Sequence, residues 1–418
     1  MSRTTAETAA PGVVTTFAAM PRAVFWLAAA MLVMRCAENF YAPILPLYAR
    51  VLDASIPLFV IGLVVGIHRL GMVVANPIAG SWSDRIGYRK PFVIGVVVTS
   101  LASGLGGMAS GTLDLTLYRI LSGLGYGTMN IAALAYINSI TTPRNRATAM
   151  SLLSASTLAG AALGPFPGGL IAEALAPVIS GYRWTFYSGA LVQIVVGASA
   201  LLLIHDRGVV TRITASAPRG LSLYALAIKH KGVSLTSLGA FLFGLSHGAF
   251  LYFTVPLLGA SLGFGPSQIG WLISGFGFGH VVGALIMGPL SDRMGRRKPF
   301  VFTALLSPGI LILLFSLVNQ PLVMIAVTFV YGFLTAPCCG IVPALAAELL
   351  PQAPASGMAL QKSSEMLGLF LGPIFGGLVL GVSGFSTAFI AYAASTILGS
   401  IVFLLGVTEP VTTNAQSS

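Results

Sequence analysis

Apolar residues in this chain come in runs of about twenty, separated by short polar stretches, and the pattern repeats from end to end. A run of that length crosses a hydrocarbon core of roughly 30 Å as an α-helix. A membrane β-barrel would show short alternating segments instead, and this chain has none. The runs predict spans at about 23–48, 56–81, 91–109, 115–137, 147–171 and 185–204. After a polar connection at 205–232 they resume at about 233–258, 266–290, 299–318, 321–346, 356–381 and 385–407. The reading places Gly181, Tyr182, Arg183 and Trp184 ahead of the sixth span.

Two strings recur at a common offset of 208 residues. Gly80-Ser-Trp-Ser-Asp84-Arg85-Ile-Gly87-Tyr88-Arg89-Lys90 returns as Gly288-Pro-Leu-Ser-Asp292-Arg293-Met-Gly295-Arg296-Arg297-Lys298 (84 to 292). Gly160-xxx-Gly164-Pro165-xx-Gly168-Gly169 returns as Gly368-xxx-Gly372-Pro373-xx-Gly376-Gly377 (164 to 372). Two unrelated strings sharing one offset mean an internal duplication. The expected fold is an all-α polytopic membrane protein, with twelve transmembrane helices in two pseudo-symmetric six-helix bundles. The expected domains are 23–204 and 233–407, joined by the 205–232 linker and flanked by tails at 1–22 and 408–418.

Composition sharpens this. The chain is 56% hydrophobic and only 8% charged, too few charges to cover a soluble fold of 418 residues. The net charge of +11 raises the question of nucleic acid, but most of the 22 Lys and Arg fall in alternate loops and tails on one side. That is the positive-inside pattern, with both termini and the linker in the cytoplasm, and it removes the case for a nucleic-acid partner. Cys36, Cys338 and Cys339 lie in apolar runs without zinc spacing. Residues 1–22 lack the charged, apolar and cleavage regions of a signal peptide and read as a short disordered tail.

The strings have physical readings of their own. Gly87 and Gly295 permit tight turns out of a span, and Gly80 and Gly288 are expected to let helices approach closely. Pro165 and Pro373 each remove an intrahelical hydrogen bond, and the spaced glycines open a surface for backbone contact. The paired turns resemble the loop motif of the major facilitator superfamily. Leu115-xxx-Arg119-xxx-Gly123-x-Gly125 resembles that superfamily's span 4 motif, and the Gly-Pro string its span 5 motif, typical of twelve-span drug:proton antiporters. Tyr88 departs from the pattern, standing where a basic residue is usual, while the second copy keeps Arg296; span 10 has Val327 where Arg119 would repeat. The resemblance implies that the turn residues Asp84, Arg85, Arg89, Asp292, Arg293 and Arg296 form gating latches, the acid acting on the start of span 11. It also implies alternating access and a role for Arg119 in proton relay or cavity electrostatics. Export direction is associated with the span 5 motif, although its copy in span 11 leaves plain symmetric packing open as well.

Ionisable groups inside spans are costly and mark functional sites by default. Here they are Arg35, Glu38, His68, Arg69, Arg119, His247, His280, Lys362 and Glu365, in spans 1, 2, 4, 7, 8 and 11. Spans 3, 6, 9 and 12 read as free of them, as a polar central cavity requires. Arg35 and Glu38 share a helix face, as do Lys362 and Glu365, each pair three apart. The first pair is either a permanent ion pair or a carboxylate whose proton affinity changes when the pair opens or substrate arrives. In the second, Lys362 is placed to hold Glu365, a candidate for coupling, ionised. Arg119 near a span end is also placed to snorkel, and His68, His247 and His280 each read as packing residues or as titrating groups. Asn39 and His247 occupy equivalent repeat positions and, with His280, Tyr41, Tyr252 and Tyr331, are the expected substrate contacts.

An enzyme is not supported. Gly259-Ala-Ser261-Leu-Gly263 fits a nucleophile-elbow string but lacks the strand-to-helix context, and no metalloprotease or nucleotide-binding motif is present. The expected function is a secondary active transporter exporting amphipathic small molecules by proton antiport, with no cofactor besides the proton gradient. The first alternative is a carrier of an organic anion or lipid-like molecule, because four basic residues stand against two acids within the spans. The second is a transport-dead receptor or scaffold. The expected partners are a small-molecule substrate, protons and the lipid bilayer, and the expected setting is a monomer in a bacterial cytoplasmic membrane.

Overall fold

The computed structural model describes residues 20–142, 145–175, 177–201 and 219–408. Regular structure among them is helical. Among the described residues, nine stretches are long and apolar enough to cross a bilayer, one of them the 53-residue Pro354–Gly406. That helix turns back at Gly384 (φ 76°), and the Tyr392 hydroxyl donates to the Gly376 carbonyl at 3.3 Å, so it supplies spans 11 and 12. The interrupted span 1 and Val178–Leu201, span 6, complete the twelve. Leu101, Leu191, Leu285, Leu322 and Leu405 are among the many apolar side chains left exposed on the outside. They suit a lipid solvent, which in turn obliges the backbone to satisfy its own hydrogen bonds as helix.

The remaining spans are Leu58–Ile86 (span 2), Arg89–Gly107 (3), Thr112–Ile140 (4) and Pro266–Met294 (8). Lys298–Ser316 is span 9. Span 5 runs as Arg146–Leu163 and Pro165–Ala174, and span 10 as Pro321–Thr335 and Pro337–Glu348. In both, a proline stands where the second piece begins, because its ring cannot continue the hydrogen-bond ladder.

Spans 1 and 7 depart from regular helix at equivalent repeat positions. Span 1, expected to be continuous, is Arg22–Glu38, then turns over 39–44, then Leu45–Leu52. Span 7 is Lys231–His247, a π-helix over Gly248–Thr254, then Val255–Ser261. Loosened backbone at membrane depth is tolerated where it is buried in protein or lines a cavity. Two further expectations are corrected, on spans 6 and 7, and the connection between the halves gains a helix. Gly181 to Trp184 lie inside span 6, so that span carries Arg183 near its start rather than being free of charge. Within the 205–232 connection, Arg219–Lys229 is a helix with Ala227 packed against Leu350 and Ala353; residues 202–218 lie outside the described residues. Span 7 also begins two residues earlier than predicted, at Lys231.

The halves meet along two seams, both at the end opposite the Asp-Arg turns. On the first, span 2 lies on span 11: a Cβ on Gly62 would stand 2.0 Å from the Pro373 carbonyl oxygen, and one on Gly66 2.2 Å from that of Phe370. On the second, span 8 lies on span 5: a Cβ on Gly270 would stand 2.4 Å from the Pro165 carbonyl oxygen, and one on Gly169 2.3 Å from that of Pro266. Only glycine lets backbones approach so closely. At the turn end the glycines behave differently. Gly80 and Gly288, expected to mediate close approach, have nothing within 4 Å of where a Cβ would be. The fold is therefore shut at the seam end, while the turn-end glycines face open space.

Candidate substrate and proton site

The Gly-Pro string in span 5 places span 1. Cβ atoms on Gly160, Gly164 and Gly168 would fall 2.2, 2.3 and 1.9 Å from the carbonyl oxygens of Leu32, Cys36 and Phe40. Span 1 thus lies directly on span 5, with Arg35, Glu38 and Asn39 carried on that stretch. The span 11 copy does the same for span 7: Gly368 and Gly372 would meet the Phe241 and Leu245 carbonyl oxygens at 2.2 and 2.4 Å. The two copies differ in one respect, because span 5 is interrupted at Gly164 whereas Pro373 sits inside a continuous helix.

Beside the first seam lies a cavity of about 530 Å3, measured out to solvent. Its polar wall is Arg35, Glu38, Asn39, Tyr41, His68, Arg69, Arg119 and Tyr252; Ala42, Leu45, Val65, Leu369 and Pro373 form the apolar wall. Glu38 is 4% exposed and is ion-paired to Arg35 on one side; His68 Nε2 stands 2.7 Å from its other oxygen. The Asn39 amide donates to the Arg35 carbonyl at 2.8 Å and pins the end of the first helix of span 1. Arg35 lies 4.7 Å from the Tyr126 ring centroid, Arg69 5.7 Å from Tyr252 and Arg119 5.0 Å from Tyr41. Each guanidinium therefore rests on an aromatic face. Arg119 does not snorkel outward; it is 8% exposed and turned to the cavity.

The other half holds a second cluster. Lys362 Nζ lies 3.1 and 3.0 Å from the two Glu365 oxygens, and the Gln361 amide donates to Glu365 at 3.3 Å. Glu365 is one helical turn from cavity-lining Leu369 and two from Pro373, so the three share a face. His280 Nε2 stands 3.1 Å from Cys339 Sγ on span 10. His247 is not a cavity residue: it is packed among Phe243, Tyr252, Phe276 and Tyr331, with Nδ1 3.0 Å from the Tyr331 hydroxyl. Of the expected pair at equivalent repeat positions, Asn39 faces the cavity and His247 does not.

At the turns, Gly87 and Gly295 take φ of 84° and 61°, a region that favours glycine. The Asp84 side chain lies outside the described residues. Its repeat, Asp292, accepts from Arg297 at 2.5 Å, and Arg297 also reaches Glu348 at the end of span 10 at 3.3 Å. Despite burial, which works the other way, these two carboxylates hold the Arg297 proton affinity above its ordinary value. Arg85 and Arg89 belong to the first turn and Arg293 and Arg296 to the second, all at the same ends of spans 2 and 3 and of spans 8 and 9 as the turns themselves.

Several participants carried no flag in the sequence reading. Tyr126, Gln361 and Cys339 are contacts of flagged residues, and only folding brings them there. Gly62 and Gly270 were legible, since they too lie 208 apart. Glu173 at the end of span 5 accepts the Ser267 N–H at 3.1 Å, across the second seam.

A bundle of twelve spans, closed at one end around a charged cavity between pseudo-symmetric halves, is the construction of a membrane transporter. The Major Facilitator Superfamily profile matches residues 27–254 and again 236–418, and the chain belongs to that superfamily. It is 25% identical over 348 residues to multidrug resistance protein 2 of Bacillus subtilis (strain 168), covering 81% of this chain and 83% of that one. It is 27% identical over 363 residues to the multi-drug resistance efflux pump PmrA of Streptococcus pneumoniae serotype 4, covering 84% and 88%. Among solved structures, a mutant of the nucleoside transporter NupG superposes with a TM-score of 0.73 at 16% identity, covering 92% of this chain and 100% of that one, a likeness of fold alone. The chain is a multi-pass membrane transporter and not an enzyme.

Proposed function

We propose that this chain exports amphipathic small molecules by proton antiport, working as a monomer through alternating access in a bacterial cytoplasmic membrane. The named relatives support export of varied compounds. Basic residues gathered at the turn end support a cytoplasmic position for that end. The conformation shut at the seam end is then the one that loads substrate from inside.

The observation that carries the coupling is a difference between the two membrane carboxylates. Glu38 is clamped between Arg35 and His68, whose side chains are 12% and 4% exposed and have little room to leave. Glu365 is as buried, but its partner Lys362 is 41% exposed. Lys362 is therefore the partner with room to leave, and the Lys362–Glu365 pair is the one placed to open during the cycle. Glu365 is the proton carrier in this reading, and Glu38 a fixed counter-charge that holds Arg35 and His68 in place. Protonation releases Lys362, and the change in local charge biases the balance between the two end-closures.

The test is flux in liposomes containing the purified protein, with an imposed pH gradient or none. Glu365→Gln is expected to lose gradient-driven accumulation while keeping substrate exchange; Glu38→Gln is expected to keep the coupling with altered substrate affinity. Flux in the native protein that ignores the gradient would leave a facilitator, and no flux at all a transport-dead receptor. The expectation of an organic-anion substrate draws support from the surplus of guanidinium groups in the cavity.

A further inference from the structure

We propose that the cavity seats an amphipathic organic anion, one carboxylate or sulfonate on an apolar body, with its head between Arg69 and Arg119. The inference rests on the transport reading above and supplies its substrate class. The cavity is lined by three guanidinium groups and one carboxylate, and that carboxylate is already engaged by Arg35 and His68. Neither Arg69 nor Arg119 forms an ion pair within 4 Å among the described residues, although Glu38 lies near enough to both for its charge to be felt.

Arg119 is the decisive residue. It is 8% exposed, yet its Nε and Nη1 have no hydrogen-bond acceptor among the described residues. The Tyr41 ring, 5.0 Å from the guanidinium carbon to its centroid, offers no acceptor oxygen to these N–H groups. Buried charged donors without acceptors are strongly unfavourable, so the geometry calls for a ligand that supplies acceptor oxygens. The paired oxygens of a carboxylate or sulfonate match the guanidinium fork. Leu45, Val65 and Leu369, which line the same cavity, offer apolar surface for the body of the ligand. A cation would meet a net positive cavity whose single acid is taken.

Arg69 adds a consequence for movement. It belongs to span 2, but the ring it rests on, Tyr252, belongs to the π-helix of span 7 in the other half. An anion that draws Arg69 toward itself loosens a contact between the halves on the side next to the seam.

Three dansyl compounds of similar body separate the charges: dansylglycine (anion), dansylamide (neutral) and dansylcadaverine (cation). Binding to the detergent-purified full chain is read by fluorescence. Dansylglycine is expected to bind about tenfold or more tighter than dansylcadaverine. That preference is expected to fall about tenfold in Arg119→Gln and in Arg69→Gln, with dansylamide unchanged. Arg119→Lys, which keeps charge but not the fork, recovers part of it. Arg69 is the less buried, so Arg69→Gln decides the matter if Arg119→Gln does not fold. Equal or tighter binding of the cation, or a preference that survives both substitutions, overturns the proposal.

Charge movement separates the two readings. With one proton per substrate, exchange for a cation moves no net charge, whereas exchange for an anion moves two. Proton-coupled dansylglycine flux is therefore expected to accelerate under an imposed membrane potential. Coupled flux of these compounds that ignores the potential overturns the anion and spares antiport. Arginine-dependent binding with no proton coupling spares the anion and overturns antiport.

Discussion

Gly62→Ala and Gly270→Ala test whether the two seams set the conformational balance. Each adds one methyl group on one half, and each methyl would lie 2.0 or 2.4 Å from a backbone carbonyl oxygen of the other half. No rotamer relieves such a clash, because the obstacle is main chain; the two helices must move apart by on the order of 1 Å to restore contact distance. Overpacking of this kind costs about 1–3 kcal/mol. The higher helix propensity of alanine applies whichever end is shut and cancels. In a state with the seam end open the methyl meets nothing, so the penalty falls on one state alone. A differential of about 1–3 kcal/mol shifts the balance by about 5- to 150-fold. The two sites lie on different seams, so their effects add in the double variant. Spin labels at Ile86 and Met294, both exposed at the turn end, read the outcome as a distance distribution after replacement of the three native cysteines. The expected result is a shorter distance, growing from single to double variant, with unfolding temperature little changed. An unchanged distribution would refute the reasoning. A large loss of thermal stability would also refute it, since the glycines would then be holding each half together.

Glycines buried within a half should behave in the opposite way. Gly164→Ala and Gly372→Ala press on Cys36 and Leu245 carbonyl oxygens of their own halves, in either end-closure, and are expected to destabilise folding by about 1–3 kcal/mol, read as a lowered unfolding temperature. Glu173→Gln removes a negative charge from the start of span 8 at an exposed site, and is expected to weaken closure of the seam end by about 0.3–1 kcal/mol, a small shift measurable with labels at that end. His247→Leu is expected to cost stability by about 1–3 kcal/mol through the unpaired Tyr331 hydroxyl, with the affinity for dansylglycine unchanged; a large affinity loss would restore His247 to the substrate site.

Much of this molecule was legible in one dimension, because a membrane leaves few solutions. Apolar runs of spanning length force helices, and two motifs at one offset disclosed the duplication before any contact was known. The same offset placed the positive-φ turns at Gly87 and Gly295. The pairings of Arg35 with Glu38 and of Lys362 with Glu365 follow from helical spacing alone. Local geometry of this kind depends only on neighbours in the chain.

Folding decided the rest. The sequence distinguishes His68 from His247 only by the adjacent Arg69; that His68 meets Glu38 in the cavity while His247 is packed among aromatic rings follows from tertiary contacts. Pro43 inside the interruption of span 1 and Pro256 just after the π-helix of span 7 were signals in the sequence, since each removes an intrahelical hydrogen bond, but the length of each irregular stretch follows from packing against spans 5 and 11. The unanswered N–H groups of Arg119 are likewise a property of three dimensions, for an acceptor is present or absent according to what the other spans bring near. The order of residues determines which groups are inside the membrane; their partners, and hence which remain free to bind, depend on contacts between residues far apart in the chain.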